Sequence, residues 1–249
     1  MVQELNRRAS ASGQLEWQDV VQTGGFPRAV AAPREQRLRL LDDYVEVFSN
    51  RDVREILAVE TSARLEAFVR LVAARTGQEL NASKLSSELG VAVTTIRRWL
   101  EALQRSYLIE LLPPYSRNAG TRVIKAPKIF MVDAALALAA ARETMPTGFH
   151  LETLIVSDLL VWKEGGPTRD LFHWRLASGQ EVDFVLQEKT KLVPIEVKSA
   201  KSVNGSEARH LRTFRQQYAN TVRGLLISCD PEIRVLESRL VACPWWAVV

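Results

Sequence analysis

Cysteine is scarce: Cys229 and Cys243 are the only two in 249 residues, too few for a disulfide framework or a zinc cluster. Histidine is nearly as rare, and His150, His173 and His210 show no ligand spacing. A reducing, cytoplasmic setting is the expectation. No window approaches the roughly 20 consecutive apolar residues of a membrane span; the most apolar run, Ile129 to Ala141, is interrupted by Asp133. The first residues, MVQELNRRASASGQLEW, hold no apolar segment of the kind a signal peptide needs. No fixed-period repeat or low-complexity tract is visible, which argues against a solenoid. Also missing is any GxxxxGK[ST] stretch, and with it the backbone cradle for β- and γ-phosphates. ATP binding by this chain alone is not expected.

What is present is ordinary for a folded protein. Hydrophobic residues make up 47% and charged residues 25%, which excludes a disordered or collagenous chain. Thirty-three Lys plus Arg stand against 29 Asp plus Glu, a formal net charge of +4, compatible with a polyanionic partner without requiring one. The length suits one large domain or two ordinary ones.

Residues 1–76 read as an extended lead-in followed by helices. The lead-in carries the turn signal TGGFPRAV and a short helix near Trp17. Beyond it, Leu38, Leu41, Val45 and Phe48, then Leu65, Phe68, Val69 and Val72, recur at helical spacing. Residues 77–145 are punctuated more sharply. Asn81 can cap a short helix ending near Leu89, Gly90 supplies a tight turn, and Thr94 or Thr95 opens a second helix with Ile96, Leu100 and Leu103 inward. Two β-rich runs follow, LIELLPPY and VIKAPKIFMVD, separated by Ser116, Asn118 and Gly120. The pattern predicts a winged helix-turn-helix. Thr94, Thr95, Arg97 and Arg98 would face outward on its second helix, with Lys125 and Lys128 beside it, the residue types that contact DNA phosphates and base edges. The same side chains also suit a solvated face of a protein–protein module.

Residues 146–249 change character: a helix over 149–163, three β runs (LFHWRL, EVDFVLQ, LVPIEVKS), a helix over 206–219 and a last β run, VRGLLIS. This order predicts an α/β domain around a mixed sheet, so the whole chain is α+β. Period-two alternation sends Val182, Phe184 and Leu186 to the core and Glu181 and Asp183 to the opposite face. In the next run Ile195 and Val197 are the core pair, while Glu196 and Lys198 project together. Paired strands would bring Asp183, Glu196 and Lys198 to one surface. Two carboxylates can hold Mg²⁺ or Mn²⁺ through oxygen, and a lysine adds positive charge for a phosphate, so metal-assisted phosphodiester hydrolysis is the natural reaction. Glu152, on the preceding helix with Leu151, Leu154, Ile155 and Leu159, could complete the site. The alternative is a strand-face ion pair with solvated acids. His173 and Arg175 could share the acids' side. Lys189, Lys191, Lys201, Arg209, Arg212 and Arg215 form a basic surround that could track a phosphate backbone. Trp245 and Trp246 suit packing or an oligomer contact.

EVDF followed by IEVK, with a helical Glu upstream, resembles the PD-(D/E)XK nuclease superfamily, Val182-Asp183 standing where the family pattern has Pro-Asp. The resemblance implies Asp183 and Glu196 as metal ligands, Lys198 as the catalytic lysine and Glu152 as the auxiliary acid. GGFPRAV, DDYVEVFSNRDVREI, KAPKIFMVDAAL, FHLETLIVSDLL, HWRLASGQEVDFVL and IEVKSA, in this order, resemble the C-terminal module of bacterial and archaeal AAA-type ATPases known as domain of unknown function 4143. There a P-loop ATPase normally precedes the module, so this chain looks like its detached C-terminal part, and an ATPase acting in trans becomes a candidate partner. The expected function is DNA-associated, either a metal-dependent nuclease or its inactive descendant, or else a non-enzymatic regulatory module.

Overall fold

A computed structural model describes residues 16–50, 62–116 and 126–248. It shows an α+β chain that divides into two compact units, one built from Gln18–Leu111 and Ala126–Thr153, the other mainly from Leu154–Val249, with residues 112–116 joining the second. No described helix is long and apolar enough to cross a membrane.

The first unit is mostly helical: α1 (Trp17–Thr23), α2 (Pro27–Ala31), α3 (Arg34–Asn50), α4 (Ser62–Ala73), α5 (Ala82–Leu89), α6 (Val93–Arg105) and α7 (Ala134–Ala140). A three-stranded sheet, β1 (Gln78–Glu79), β2 (Ile109–Leu112) and β3 (Lys128–Met131), runs in the order β1-β3-β2. Amphipathic helices cannot bury their apolar stripes alone. Here Leu41, Val45, Phe68, Val69, Ile96, Trp99, Leu103 and Ile129 share a single buried cluster, and the Phe68 and Trp99 rings lie 5.2 Å apart, joining α4 to α6. The boundary expected at 76/77 therefore falls inside one core. The boundary expected at 145/146 lies in the non-helical stretch just before α8 (Gly148–Glu164), and the chain passes from the first unit into the second within that helix.

Two turn signals act as their chemistry requires. Gly24 adopts a left-handed φ of 65°, and a Cβ there would sit 2.7 Å from both Ala135 Cβ and Asp133 Oδ1, so only glycine fits. The neighbouring Gly25 N–H donates to Asp133 Oδ2 at 2.7 Å, while Asp133 Oδ1 accepts from Leu136 N at 2.8 Å and caps α7. The aspartate that interrupts the apolar run thus ties the GGFPRAV turn to a buried helix. Asn81 caps α5 by accepting from Lys84 N at 2.9 Å, and Gly90 ends it at φ 62°. Asn81→Ala should lower the unfolding free energy by about 1 kcal/mol, with Asn81→Asp close to the parent, as read by urea denaturation. The second helix of the pair begins one or two residues earlier than expected: α6 starts at Val93 behind Ala92, without a side-chain cap, so Thr94 and Thr95 lie inside its first turn.

The β2 run stops at Leu112, short of the LIELLPPY stretch. Pro113 and Tyr115 instead border the second unit's sheet: Tyr115 N donates to His173 O at 2.6 Å and His173 N to Pro113 O at 3.0 Å. The Tyr115 ring packs on Phe172, Phe214 and Tyr218 at 5.1–5.9 Å, and that aromatic burial outweighs continuation of the hairpin. Asn118, Gly120 and Lys125, placed in the expected wing, lie outside the described residues.

The second unit is a six-stranded mixed sheet in the order β4-β5-β6-β7-β9-β8, from β4 (Arg169–Arg175), β5 (Glu181–Glu188), β6 (Lys191–Val197), β7 (Gly224–Ser228), β8 (Arg234–Glu237) and β9 (Leu240–Pro244). β4, β5 and β6 form an antiparallel meander; α9 (Arg209–Gln217) then crosses to β7, parallel to β6, and β9 is parallel to β7. β8 and β9 were not expected, because Arg234, Glu237 and Arg239 break the apolar pattern there. Trp245 is buried at the chain's last turn.

Candidate functional site

The alternation that assigns one face of β5 to core and the other to acids is broken. Val182, Phe184 and Val185 are all fully buried, because this strand lies inside the sheet and is covered on both sides. The register with β4 pairs Phe172 with Val185 and Trp174 with Val182, so Asp183 and Phe184 together oppose the single residue His173. This is a β-bulge, a device that re-aims a side chain. It takes Asp183 out of strict alternation, and the Asp183 carboxylate accepts from Val197 N on β6 at 2.8 Å through Oδ2. His173, expected on an open face, is buried, as is Trp174.

Continuing the β5–β6 register, in which Phe184 pairs with Ile195, by one step sets Asp183 opposite Glu196. Glu196 is 3% exposed and Asp183 8%. Lys198, two residues on and therefore on the same face as Glu196, donates from Nζ to Glu196 Oε1 at 2.7 Å. From the crossover helix α9, His210 Nδ1 stands 3.6 Å from the same oxygen. The other oxygen, Oε2, is buried with no hydrogen-bond partner among the described residues. Burial raises the Glu196 pKa to about 7; the Asp183 charge adds to the rise, Lys198 opposes it, and Glu181 contributes a smaller push upward. The result is a buried carboxylate pair with one lysine, one unsatisfied oxygen and a deficit of positive charge.

Asp183 and Glu196 are the residues that could hold a cation. Among the described residues no group of three or more His, Cys, Asp and Glu side chains is arranged for a metal ion, which fits poorly with zinc. Magnesium is different: it keeps several waters and often takes only one or two protein carboxylates together with substrate phosphate. The oxygen-only donor pair and the orphaned Oε2 fit that class of ion.

Glu152 stands on α8 within the first unit. Its Oε2 meets Lys128 Nζ at 3.3 Å within the first unit, and Lys128 is 3% exposed. Lys128, expected to reach phosphates, is thus buried on β3 and engaged with an acid. Thr94, Arg97 and Arg98 are exposed on α6 and Thr95 is half-buried. Lys201 pairs with Glu16 at 3.2 Å. His210 is the site neighbour that spacing did not bring forward, whereas alternation had already set Glu181 on the acids' face. Nothing in the local pattern marks His210, since only the crossover of α9 returns it to β6.

Comparison with known proteins assigns families without activities. A family model described as Domain of unknown function (DUF8612) matches residues 14–147, and another, Domain of unknown function (DUF4143), matches residues 147–248. The uncharacterized proteins Mb2031c of Mycobacterium bovis and Rv2008c of Mycobacterium tuberculosis are each 26% identical over 184 residues, 70% of this chain. The chain spans about two fifths of the length of these relatives, 41%. Among solved structures, protein VC1899 from Vibrio cholerae is 17% identical with a TM-score of 0.32, covering 90% of this chain and 55% of that one. A half-complex of Thermococcus gammatolerans McrB AAA+ hexamers with bound McrC is 12% identical with a TM-score of 0.30, covering 98% and 60%. Scores this low carry no argument.

Proposed function

We propose that this chain, which belongs to the DUF8612 family through its first half and carries a DUF4143 domain after it, is a nucleic-acid-associated protein whose carboxylate pair serves divalent-metal-dependent phosphodiester hydrolysis. The observation that carries the reading is Glu196 Oε2, buried beside a second carboxylate and without a hydrogen-bond partner among the described residues. A buried anion left unsatisfied is costly. Two hard oxygen donors in that state are what Mg²⁺ or Mn²⁺ would satisfy.

Asp183 and Glu196 would be the ligands. When bound, such an ion supplies Lewis-acid stabilisation of phosphate charge and a more acidic water. Asp183 is positioned for this by the Val197 N–H, which fixes Oδ2. Lys198 holds Glu196 Oε1, and its side chain is 39% exposed, so the ammonium can also meet a phosphate oxygen arriving from solvent. Glu152, held by Lys128, is assigned no step.

The element order β1, α5, α6, β2, β3 supports a winged helix-turn-helix reading of the first unit, with α6 as the helix that meets nucleic acid. Arg97 and Arg98 are exposed, and among the described residues neither makes an ion pair. Binding should weaken as salt rises, because each phosphate contact releases condensed counterion. The double variant Arg97→Ala, Arg98→Ala should lower affinity similarly for unrelated sequences and flatten the salt dependence in a fluorescence-anisotropy titration. Unchanged binding would move the interface away from α6.

The direct test incubates the protein with plasmid, linear and single-stranded DNA in Mg²⁺, Mn²⁺ or EDTA. Cleavage that requires the metal is the expected result; absence of both cleavage and Mn²⁺ binding would end the reading. A second reading, a non-enzymatic regulatory module acting with a separate ATPase, is favoured by the way Val197 N and Lys198 each occupy one carboxylate oxygen, as in a structural ion pair. Mn²⁺ binding separates the two.

A further inference from the structure

We propose a second anion site, independent of the carboxylate pair: a phosphate-binding cavity formed by Arg212, Arg215 and Arg239. The cavity has a volume of about 300 Å³ and lies between α9 and the β8–β9 hairpin, with Gln216, Thr221 and Glu237 also in its lining. That volume is at the small end of ligand pockets.

Its position follows from helix geometry. Leu211 and Phe214 form the buried stripe of α9. At roughly 100° per residue, Arg212 and Arg215 fall on one flank of that stripe and His210 on the other. His210 reaches Glu196, whereas Arg212 turns to Glu237 at the end of β8 and forms an ion pair with it. The helix thus separates the carboxylate pair from the arginines.

Charge in the cavity is unbalanced. Glu237 is the one acid among the lining residues, and Arg212 already holds it. Arg215 and Arg239 make no ion pair or side-chain hydrogen bond among the described residues; Arg215 is half-buried and Arg239 exposed. Guanidinium groups present planar forks that match phosphate oxygens, and they are the usual choice where a phosphate is held by side chains. No aromatic side chain lines the cavity, so a ligand would be recognised by its phosphoryl group and not by a stacked base.

The backbone points the same way. Arg239 sits in the turn that closes the β8–β9 hairpin with φ 67°, and its carbonyl accepts from Gly224 N at 2.8 Å. Left-handed positions in such turns suit Gly or Asn, and a long branched-head side chain there is strained. From that turn the Arg239 side chain joins the lining of the cavity.

The phosphoryl group could belong to a free phosphate-bearing molecule or to a nucleic-acid backbone, and one experiment distinguishes them. Inorganic phosphate, with chloride at matched ionic strength as control, and a short single-stranded oligodeoxynucleotide are titrated separately into the full chain by calorimetry. The parent is compared with Arg215→Gln, with Arg239→Gly and with Arg97→Ala, Arg98→Ala. Saturable phosphate binding, weakened about tenfold or more by Arg215→Gln and by Arg239→Gly but unaffected by the α6 variant, assigns a free phosphate ligand. Oligonucleotide binding weakened by the same two substitutions, with no response to phosphate, assigns the backbone. Arg239→Gly should also raise the melting temperature by relieving the left-handed strain. That combination of a more stable fold and a weaker site shows that lost binding is not lost folding. Absence of binding by both probes, or binding equal to the parent in both cavity variants, overturns the proposal. Because DNA cleavage enters none of these readouts, the cavity can fail while the carboxylate site stands, and the reverse.

Discussion

Asp183→Asn is expected to reduce Mg²⁺- or Mn²⁺-dependent DNA cleavage about a thousandfold, equivalent to about 4 kcal/mol of transition-state stabilisation, while leaving the fold nearly unchanged. The asparagine keeps the shape and can still accept the Val197 N–H through its amide oxygen, preserving the contact now made at 2.8 Å. It removes a negative oxygen donor, so metal affinity falls as well. The Asp183 charge also helps to raise the Glu196 pKa, so Glu196 should ionise at lower pH in the variant, a change visible by carboxyl-resolved NMR. Lys198→Ala makes the contrasting case. Metal binding should persist and the rate should fall, because the ammonium lies beside Glu196 Oε1 and reaches solvent. If the asparagine variant cuts DNA as fast as the parent, the carboxylate pair has no part in the reaction.

Glu196→Gln should stabilise the protein at high pH and not at low pH. A carboxyl whose folded-state pKa is raised binds more protons folded than unfolded between its two pKa values. Stability is then greatest below the unfolded value, near 4.5, and is lost as pH rises to the folded value of about 7. For the parent the loss from this group is of the order of 3 kcal/mol. Glutamine cannot ionise, so the variant should match the parent near pH 4.5 and exceed it by up to that amount at pH 8. Chemical denaturation at a series of pH values checks this. Added Mn²⁺ should narrow the gap at pH 8, because an ion bound only by the native carboxylate pair stabilises the parent alone. Parallel pH profiles for the two proteins would show that Glu196 is not strained in the fold, and the main observation behind a metal site would be lost.

Much of the architecture is carried by local chemistry. Helical periodicity places α3, α4 and α6, Asn81 and Gly90 mark both ends of α5, and the three β runs after Gly148 become the antiparallel meander. These features depend on residues within a turn or two of each other, so their order along the chain is enough. The Glu196–Lys198 contact belongs here too, because a two-residue step on a strand fixes a common face whatever the rest of the protein does.

The remainder depends on residues far apart in the chain. Helices α3, α4 and α6 merge into one core because each has an apolar stripe with no other partner, and periodicity does not say which stripes meet. Asp183 departs from alternation because β5 takes one more residue than β4 across His173, a property of the pair and not of either strand. Lys128 and Glu152 neutralise each other across 24 positions, and the crossover helix returns His210 to Glu196 on one flank while presenting Arg212 and Arg215 to Arg239 on the other. Sequence by itself determined the elements and the acid–lysine step on β6. The tertiary structure alone decided how deeply those charges are buried and what surrounds them, because burial and electrostatic balance are set by whichever elements pack on a strand, and packing is settled only when the whole chain is folded.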